Sequence, residues 1–228
     1  MLSLILQDPN VPVEGAEEIV ESVSLLELTM NGGVMMIPIF LLWMLGVYVF
    51  VERMLTIKKA SQTPEDFKDR IRQLVTGGDI QGARMMCVQT DTPVARMIEK
   101  GVSKIGSTLK NIEVSIENLG KIEIYKLEKN LNLLATIAGA APMIGFLGTV
   151  VGMIQAFMAV AQEEGAVSPK LLSGGIYEAL ISTAAGLIVG ILAYLGYNFL
   201  VARVSKVIHT MEYNAIEFVE LLQEPQKK

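Results

Sequence analysis

Residues 133–152 read LLATIAGAAPMIGFLGTVVG, and the apolar run that they begin continues without a charge to Ala161. A helix needs about 20 consecutive apolar residues to cross the hydrocarbon core of a bilayer. Two further stretches, 34–51 and 176–201, are also long and apolar enough, and Glu178 is the only charged side chain in either. The sequence therefore predicts an all-α integral membrane protein with three transmembrane helices, at 34–51, 133–161 and 176–201.

The overall composition agrees with a membrane protein. Hydrophobic residues make up 51% of the 228 residues, and the mean hydropathy is +0.45. Charged residues account for 19%, below the roughly 25% that is usual in soluble domains.

The basic residues orient the predicted spans. All but one of the 19 Lys and Arg residues lie either between the first two spans or after the third. Because cytoplasmic loops carry the excess of basic residues, we expect the N-terminal segment 1–33 in the periplasm, with a short periplasmic loop at 162–175. Segments 52–132 and 202–228 are then a cytoplasmic helical domain and a cytoplasmic helical tail.

Helical signals fill the cytoplasmic segments. Gly77-Gly78-Asp79 ends one helix and starts the next, and Thr92-Pro93 starts another that Gly106 ends. An apolar stripe from Leu109 runs into the second span without a strong breaker and predicts one helix of about 50 residues, roughly 75 Å long. The third span likewise continues as an amphipathic tail up to Glu224-Pro225, so two membrane helices extend far into the cytoplasm.

The N-terminal segment contains a short amphipathic stretch, Ser24-Leu25-Leu26-Glu27-Leu28. It is typical of a helix that docks on the outer membrane surface. Binding of an external partner is the alternative interpretation.

Small residues recur along one face of the second span and reappear in the third. Helices in lipid associate through close backbone approach, which small residues permit. The spacing G-x-x-x-G occurs in both spans and predicts tight packing within or between subunits. The helix-packing candidates are Pro142, Gly145, Gly148, Gly152, Gly186 and Gly190.

Three polar side chains are candidates for a proton pathway or pore lining. Thr149 and Thr183 fall at similar depth in antiparallel spans, within a turn or two of each other; each hydroxyl could instead bond to a carbonyl of its own helix. Glu178 is an intramembrane carboxylate, which is a functional candidate by default. Its alternative role is to extend to the nearby outer interface.

The residues that are missing exclude several kinds of site. Cys87 and His209 are the only cysteine and histidine, so a disulfide within the chain, a cysteine zinc site and a histidine metal cluster are excluded. We expect Cys87 to be buried, and we expect no enzyme active site, no metal, no cofactor and no nucleic-acid partner. The middle of each span lacks Asp, Lys, Arg and His, so a crossing proton would need a carboxylate from another chain.

Two segments carry a resemblance to a known family. APMIGFLGTVVGM (141–153) and GIYEALISTAAGL (175–187) are similar to the two signature helices of the ExbB/TolQ family of proton-channel subunits, to which the flagellar stator protein MotA is distantly related. Glu52-Arg53 and Tyr197-Asn198 are similar too. Of the two branches the chain most resembles ExbB, although the proline that family members often carry in the third span is absent from Val189-Gly190-Ile191-Leu192-Ala193.

The resemblance implies a homopentamer in the bacterial inner membrane whose second and third spans line a pore. Thr149, Thr183 and Glu178 match the positions of the family's pore polar groups. The partner would be an ExbD/TolR-like subunit with a single span that carries an aspartate into the pore. Such a complex would use the proton gradient to act on a TonB- or TolA-like protein and so drive TonB-dependent outer-membrane transport.

Other functions remain open at this point. A TolQ-like subunit of the Tol-Pal system or a gliding-type motor would share the same architecture. A channel or transporter that works alone is disfavoured by the missing mid-membrane acid. A non-conducting oligomeric scaffold would use only the glycine faces.

Overall fold

A computed structural model of the chain describes residues 32–64, 66–162 and 169–223, of which 169–172 as backbone only. These residues form helices and contain no β-strand, which confirms the all-α prediction. The helices are α1 Met36–Ala60, α2 Phe67–Thr76, α3 Ile80–Thr90, α4 Pro93–Val102, α5 Leu109–Glu128, α6 Leu131–Gln162 and α7 Pro169–Gln223.

Three parts of this arrangement are long and apolar enough to cross a membrane: α1, the α5–α6 pair and α7. This agrees with the three predicted spans. α7 starts at Pro169, ahead of the predicted start of the third span at Ile176, so the last part of the predicted loop 162–175 is helical. The short helix predicted near Ser24, the middle of that loop and the end of the tail lie outside the described residues.

The prediction of one continuous helix from Leu109 through the second span is wrong at one point. α5 ends at Glu128 and α6 begins at Leu131, and Asn130 between them has φ of 65°. Asparagine is one of the few non-glycine residues that adopt this left-handed conformation at modest cost. The apolar stripe continues across the break, with Leu127 and Leu131 both buried, so the stripe alone did not indicate it.

The helix ends predicted within segment 52–132 are largely confirmed. α2 stops at Thr76 before Gly77 and Gly78, and the Asp79 carboxylate caps α3 by accepting a hydrogen bond of 2.8 Å from the Gly82 amide. The Thr92 hydroxyl caps α4 in the same way, with Pro93 in the first turn. α4 stops at Val102, somewhat before the predicted end at Gly106.

α4 forms the centre of the core in the helical domain. Most of its side chains are buried, and α3, α5 and the end of α7 pack around it. A Cβ atom on Gly101 of α4 would lie 2.6 Å from Phe218 of α7 and 2.7 Å from Ile116 of α5. The α7 tail is therefore part of the domain core and not a separate appendage.

A buried carboxylate ties α4 to α5. The Glu123 side chain is 2% exposed, and its two oxygens accept hydrogen bonds of 2.6 Å from Arg96 and 2.7 Å from Lys126. Arg96 also donates to Asp91 at the end of α3. Burial raises the pKa of Glu123, but the hydrogen bonds from Arg96 and Lys126 outweigh it and hold that pKa below its ordinary value.

A second buried charge connects α1 to the same region. Arg53 is 5% exposed, forms an ion pair with Glu52 and donates to the Lys126 carbonyl oxygen at 3.1 Å. The pair Glu52-Arg53 thus anchors the end of the first span to α5.

We predict that Glu123→Gln lowers the free energy of unfolding by about 2 kcal/mol, because it weakens charge-assisted hydrogen bonds in a buried site. Thermal unfolding of the purified chain in detergent measures this change. Glu117→Gln on the same helix is the matched control: Glu117 pairs with Lys121 but is 61% exposed, so its loss should cost less than about 0.5 kcal/mol. Equal effects of the two substitutions would contradict the assignment of a buried network.

We also predict that Cys87 resists alkylation in the folded protein. As expected from the sequence, Cys87 is buried, and burial with the nearby Glu99 carboxylate raises its pKa to about 12. At pH 8 only about one thiol in ten thousand would be the reactive thiolate. N-ethylmaleimide should label the chain in dodecyl sulfate but not in mild detergent, as mass spectrometry can measure; rapid labelling of native protein would refute the burial.

Candidate functional site

The membrane parts of α6 and α7 pack against each other as an antiparallel pair with their backbones in contact. A Cβ atom on Gly186 would lie 2.6 Å from the Ala141 carbonyl oxygen and 2.9 Å from the Gly145 Cα. One on Gly145 would lie 2.9 Å from the Ser182 carbonyl oxygen. Because these neighbours are backbone atoms that cannot rotate away, only glycine fits at either position.

The same contact continues towards both ends of the pair. On one side of this centre, a Cβ atom on Gly152 would lie 2.9 Å from Ala179; on the other, Gly190 lies against the ring of Pro142. Gly148 faces Ser182 between them. All six predicted helix-packing residues therefore lie at the interface between α6 and α7 of one chain.

Thr183 lies at the centre of this interface. Its hydroxyl crosses to the other helix and donates a hydrogen bond of 2.9 Å to the Gly145 carbonyl oxygen. The side chain remains half-buried, with part of its surface open. This bond joins the two helices at the level where their backbones are closest.

Thr149 lies one helical turn beyond Gly145 on α6. Its hydroxyl donates to the Phe146 carbonyl oxygen of its own helix at 2.6 Å, as in the alternative interpretation given above. Because one turn of helix rises about 5.4 Å, the hydroxyls of Thr149 and Thr183 still lie at neighbouring depths. Both have a partly open face.

Glu178 lies against the turn that precedes α1. A Cβ atom on Gly33 would overlap the Glu178 carboxylate oxygen, so there is no space for a side chain at position 33. Gly33 also has φ of +67°, a backbone conformation that residues with a side chain rarely adopt. Glu178 is half-buried. It lies near the N-terminal end of the apolar part of α7, more than one helical turn before Thr183.

Ser182 is a buried residue of this interface that was not among the predicted site residues. This side chain is 1% exposed, donates to the Ala179 carbonyl oxygen at 2.8 Å and fills the space left by Gly148. Ser182 follows Glu178 by four residues, so both lie on one face of α7. The small residues at 175, 179, 182, 186 and 190 form a stripe at helical spacing, which is the signal that could have identified it.

The outward faces of the pair are apolar. Met143 and Phe146 are 74% and 67% exposed on α6, and Leu180 is 61% exposed on α7. Large apolar side chains that are exposed along the whole face of a helix need lipid or further protein to cover them. The described residues contain no group of three or more acidic, histidine or cysteine side chains that could hold a metal ion.

We predict that Gly186→Ala destabilises the chain by about 1–3 kcal/mol, since the new methyl group would meet backbone atoms of α6. Gly139→Ala is the matched control, because Gly139 faces a groove of about 430 Å³ and has no atom within 4 Å of its Cβ position. Thermal unfolding in detergent measures both. The close contact would be refuted if Gly186→Ala melted at the same temperature as the control.

The comparisons with known proteins agree with the resemblance noted in the sequence. Residues 89–213 match the MotA/TolQ/ExbB proton channel family. A putative biopolymer transport protein ExbB homolog of Methanothermobacter thermautotrophicus is 29% identical over 195 residues, which cover 83% of this chain and 67% of the relative.

Two further relatives show higher identity over shorter segments. The Tol-Pal system protein TolQ of Haemophilus influenzae is 36% identical over 135 residues, 59% of this chain and 54% of the relative. The biopolymer transport protein ExbB of Aquifex aeolicus is 43% identical over 91 residues, 39% of this chain and 61% of the relative. The family match covers more than half of the 228 residues and includes both α6 and the membrane part of α7, so this chain is a member of the MotA/TolQ/ExbB proton channel family.

Proposed function

We propose that this chain is the channel-forming stator subunit of a proton-driven motor in the bacterial inner membrane. In this proposal the motor energises TonB-dependent outer-membrane transport, as an ExbB-like subunit. The carrying observation is the hydrogen bond from the Thr183 hydroxyl to the Gly145 carbonyl, with the Thr149 hydroxyl one turn away. The two hydroxyls lie about one helical turn apart in a pair of helices whose outward faces are apolar.

The hydroxyls are suited to pass a proton but not to hold one. A threonine hydroxyl is both a donor and an acceptor, so it can exchange hydrogen bonds with a protonated group that moves past it. Neither threonine changes charge at physiological pH. A group that binds and releases the proton must therefore come from elsewhere.

A second chain would supply that group. The middle of each span lacks Asp, Lys, Arg and His, and an ExbD/TolR-like subunit with an aspartate in its single span would complete the pathway. Each proton that crosses releases about 2.3 kcal/mol per 100 mV of membrane potential. Several protons per step would suffice for mechanical work on a TonB- or TolA-like protein.

Glu178 would mark the outer entrance of this pathway. With the N-terminus in the periplasm, as the distribution of basic residues favours, Glu178 lies near the periplasmic end of α7. A carboxylate at that end would attract protons or protonated groups towards Thr149 and Thr183.

We further propose a homopentamer whose α6–α7 pairs surround the partner helix. The exposed apolar faces of α6 and α7 support assembly, because they need a lipid or protein neighbour. A TolQ-like subunit of the Tol-Pal envelope system or a gliding-type motor would use the same pore. The similarity to the TolQ protein of Haemophilus influenzae supports the first of these alternatives. A non-conducting scaffold would need the glycine contact but not the hydroxyls.

We predict that Thr183→Val and Thr149→Val each reduce proton-driven activity at least about tenfold, equivalent to about 1.4 kcal/mol in the barrier, while the complex still assembles. The chain should be co-produced with its single-span partner, and proton uptake by proteoliposomes under an imposed potential should be measured. Glu178→Ala should also reduce uptake. Glu178→Gln keeps the contact with Gly33 and so separates the effect of charge from that of packing.

Thr136→Val is the matched control. Thr136 is an exposed threonine of α6 whose hydroxyl donates to the Asn132 carbonyl oxygen of its own helix. Proton uptake by the Thr136→Val variant should therefore equal that of the unaltered chain. Full activity of the Thr149, Thr183 and Glu178 variants would favour the scaffold. Rapid uptake by the chain without a partner would contradict the need for a second carboxylate.

The neighbouring reading frames discriminate between the motor branches. A short protein with one N-terminal span that contains an aspartate would support the motor. A TonB-like or TolA-like companion would separate outer-membrane transport from Tol-Pal service.

A further inference from the structure

A second concave site lies on the seam between α1 and α7, away from the α6–α7 contact. A cavity of about 440 Å³ opens there beside the end of α1. Its cationic lining residues are Lys58, Arg203 and Lys206, and the lining contains no acidic side chain. Within the described parts of the chain, no ion pair neutralises any of these three.

An apolar groove of about 300 Å³ continues the seam towards the middle of the membrane, where Leu134 and Ile137 of α6 also line it. Gly46 of α1 and Gly196 of α7 leave the space that opens it, and Trp43 lines its far part. Phe50 and Phe199, whose ring centroids are 6.5 Å apart, lie between the groove and the cavity. The seam is thus cationic at one end and apolar along the rest.

We propose that this seam binds one glycerophospholipid with an anionic headgroup. The headgroup phosphate would lie in the cavity among Lys58, Arg203 and Lys206, and an acyl chain would lie in the groove. Basic pockets between membrane helices are typical sites for anionic headgroups. The proposal does not rest on the proposed proton pathway.

The length of the seam fits a single lipid. Gly46 in the groove and Lys58 in the cavity are twelve residues apart, which is about 18 Å along a helix. One leaflet contributes about half of the roughly 30 Å hydrocarbon core, so a lipid of that leaflet reaches from the groove to the cavity.

The cations are placed for a phosphate. Arg203 lies over the Phe199 ring, with its guanidinium carbon 5.1 Å from the ring centroid, and this contact favours one orientation at the rim of the cavity. Lys206 follows on the next turn of α7, and Lys58 faces both from α1. A headgroup with a net negative charge is attracted to such a cluster more strongly than that of phosphatidylcholine, in which the choline cation offsets the charge of the phosphate.

A lipid retention experiment tests the proposal. The full-length chain in its native oligomer is reconstituted in vesicles of phosphatidylcholine with a minority of phosphatidylglycerol, then extracted in mild detergent. Mass spectrometry of the bound lipid should show phosphatidylglycerol enriched over its share in the vesicle. Arg203→Gln and Lys206→Gln should each weaken its retention about fivefold.

Lys59→Gln is the matched control. Lys59 is an exposed lysine next to Lys58 on α1 but does not line the cavity, so its removal should leave retention unchanged within about twofold. Millimolar inorganic phosphate should not displace the lipid, because free phosphate gains nothing from the groove. Gly196→Leu should weaken retention too, since its side chain would fill the groove.

Three results would overturn the proposal. Equal retention of phosphatidylcholine and phosphatidylglycerol would remove the charge argument. Displacement by inorganic phosphate would indicate a site for the free anion. Dissociation of the oligomer by Arg203→Gln with unchanged lipid retention would show that a second copy of the chain covers the seam.

Discussion

The arrangement of the membrane helices depends on the backbone contact between α6 and α7. Lipid offers no hydrophobic drive for two apolar helices to associate, so van der Waals contact and hydrogen bonds must hold them together. Gly145 and Gly186 allow the helices to meet within backbone distance. The hydrogen bond from Thr183 to the Gly145 carbonyl is possible only at that separation, so the candidate site exists because the glycines are there.

Much of this arrangement could be predicted from the sequence, because its causes are local. Apolar length identified the three long helices, and Asp79 and Thr92 marked helix starts through side-chain caps. The break at Asn130 was missed because a single left-handed residue interrupts no apolar pattern. The buried pair of Glu123 and Arg96 was missed for another reason: its partners are 27 residues apart, and only tertiary packing brings them together.

The hydrogen-bond partners of the candidate polar residues also depend on tertiary packing and could not be predicted from the sequence. Sequence spacing placed Thr149 and Thr183 at neighbouring depths, but it could not tell which hydroxyl would cross between helices. The difference arises from the antiparallel register, in which Gly145 faces Thr183 while Thr149 bonds to its own helix. Ser182 was not predicted, although it lies in a stripe of small residues at helical spacing, and its near-complete burial against Gly148 gives it a packing role.

The helical domain is mechanically continuous with the membrane helices. α7 runs unbroken from the membrane to Gln223, and Phe218 near its end packs on Gly101 of α4. Arg53 ties α1 to α5. A tilt of α7 in the membrane would therefore have to move the domain core or break these contacts. In the proposed motor this rigidity is useful, because a stator must resist the torque that its partner exerts.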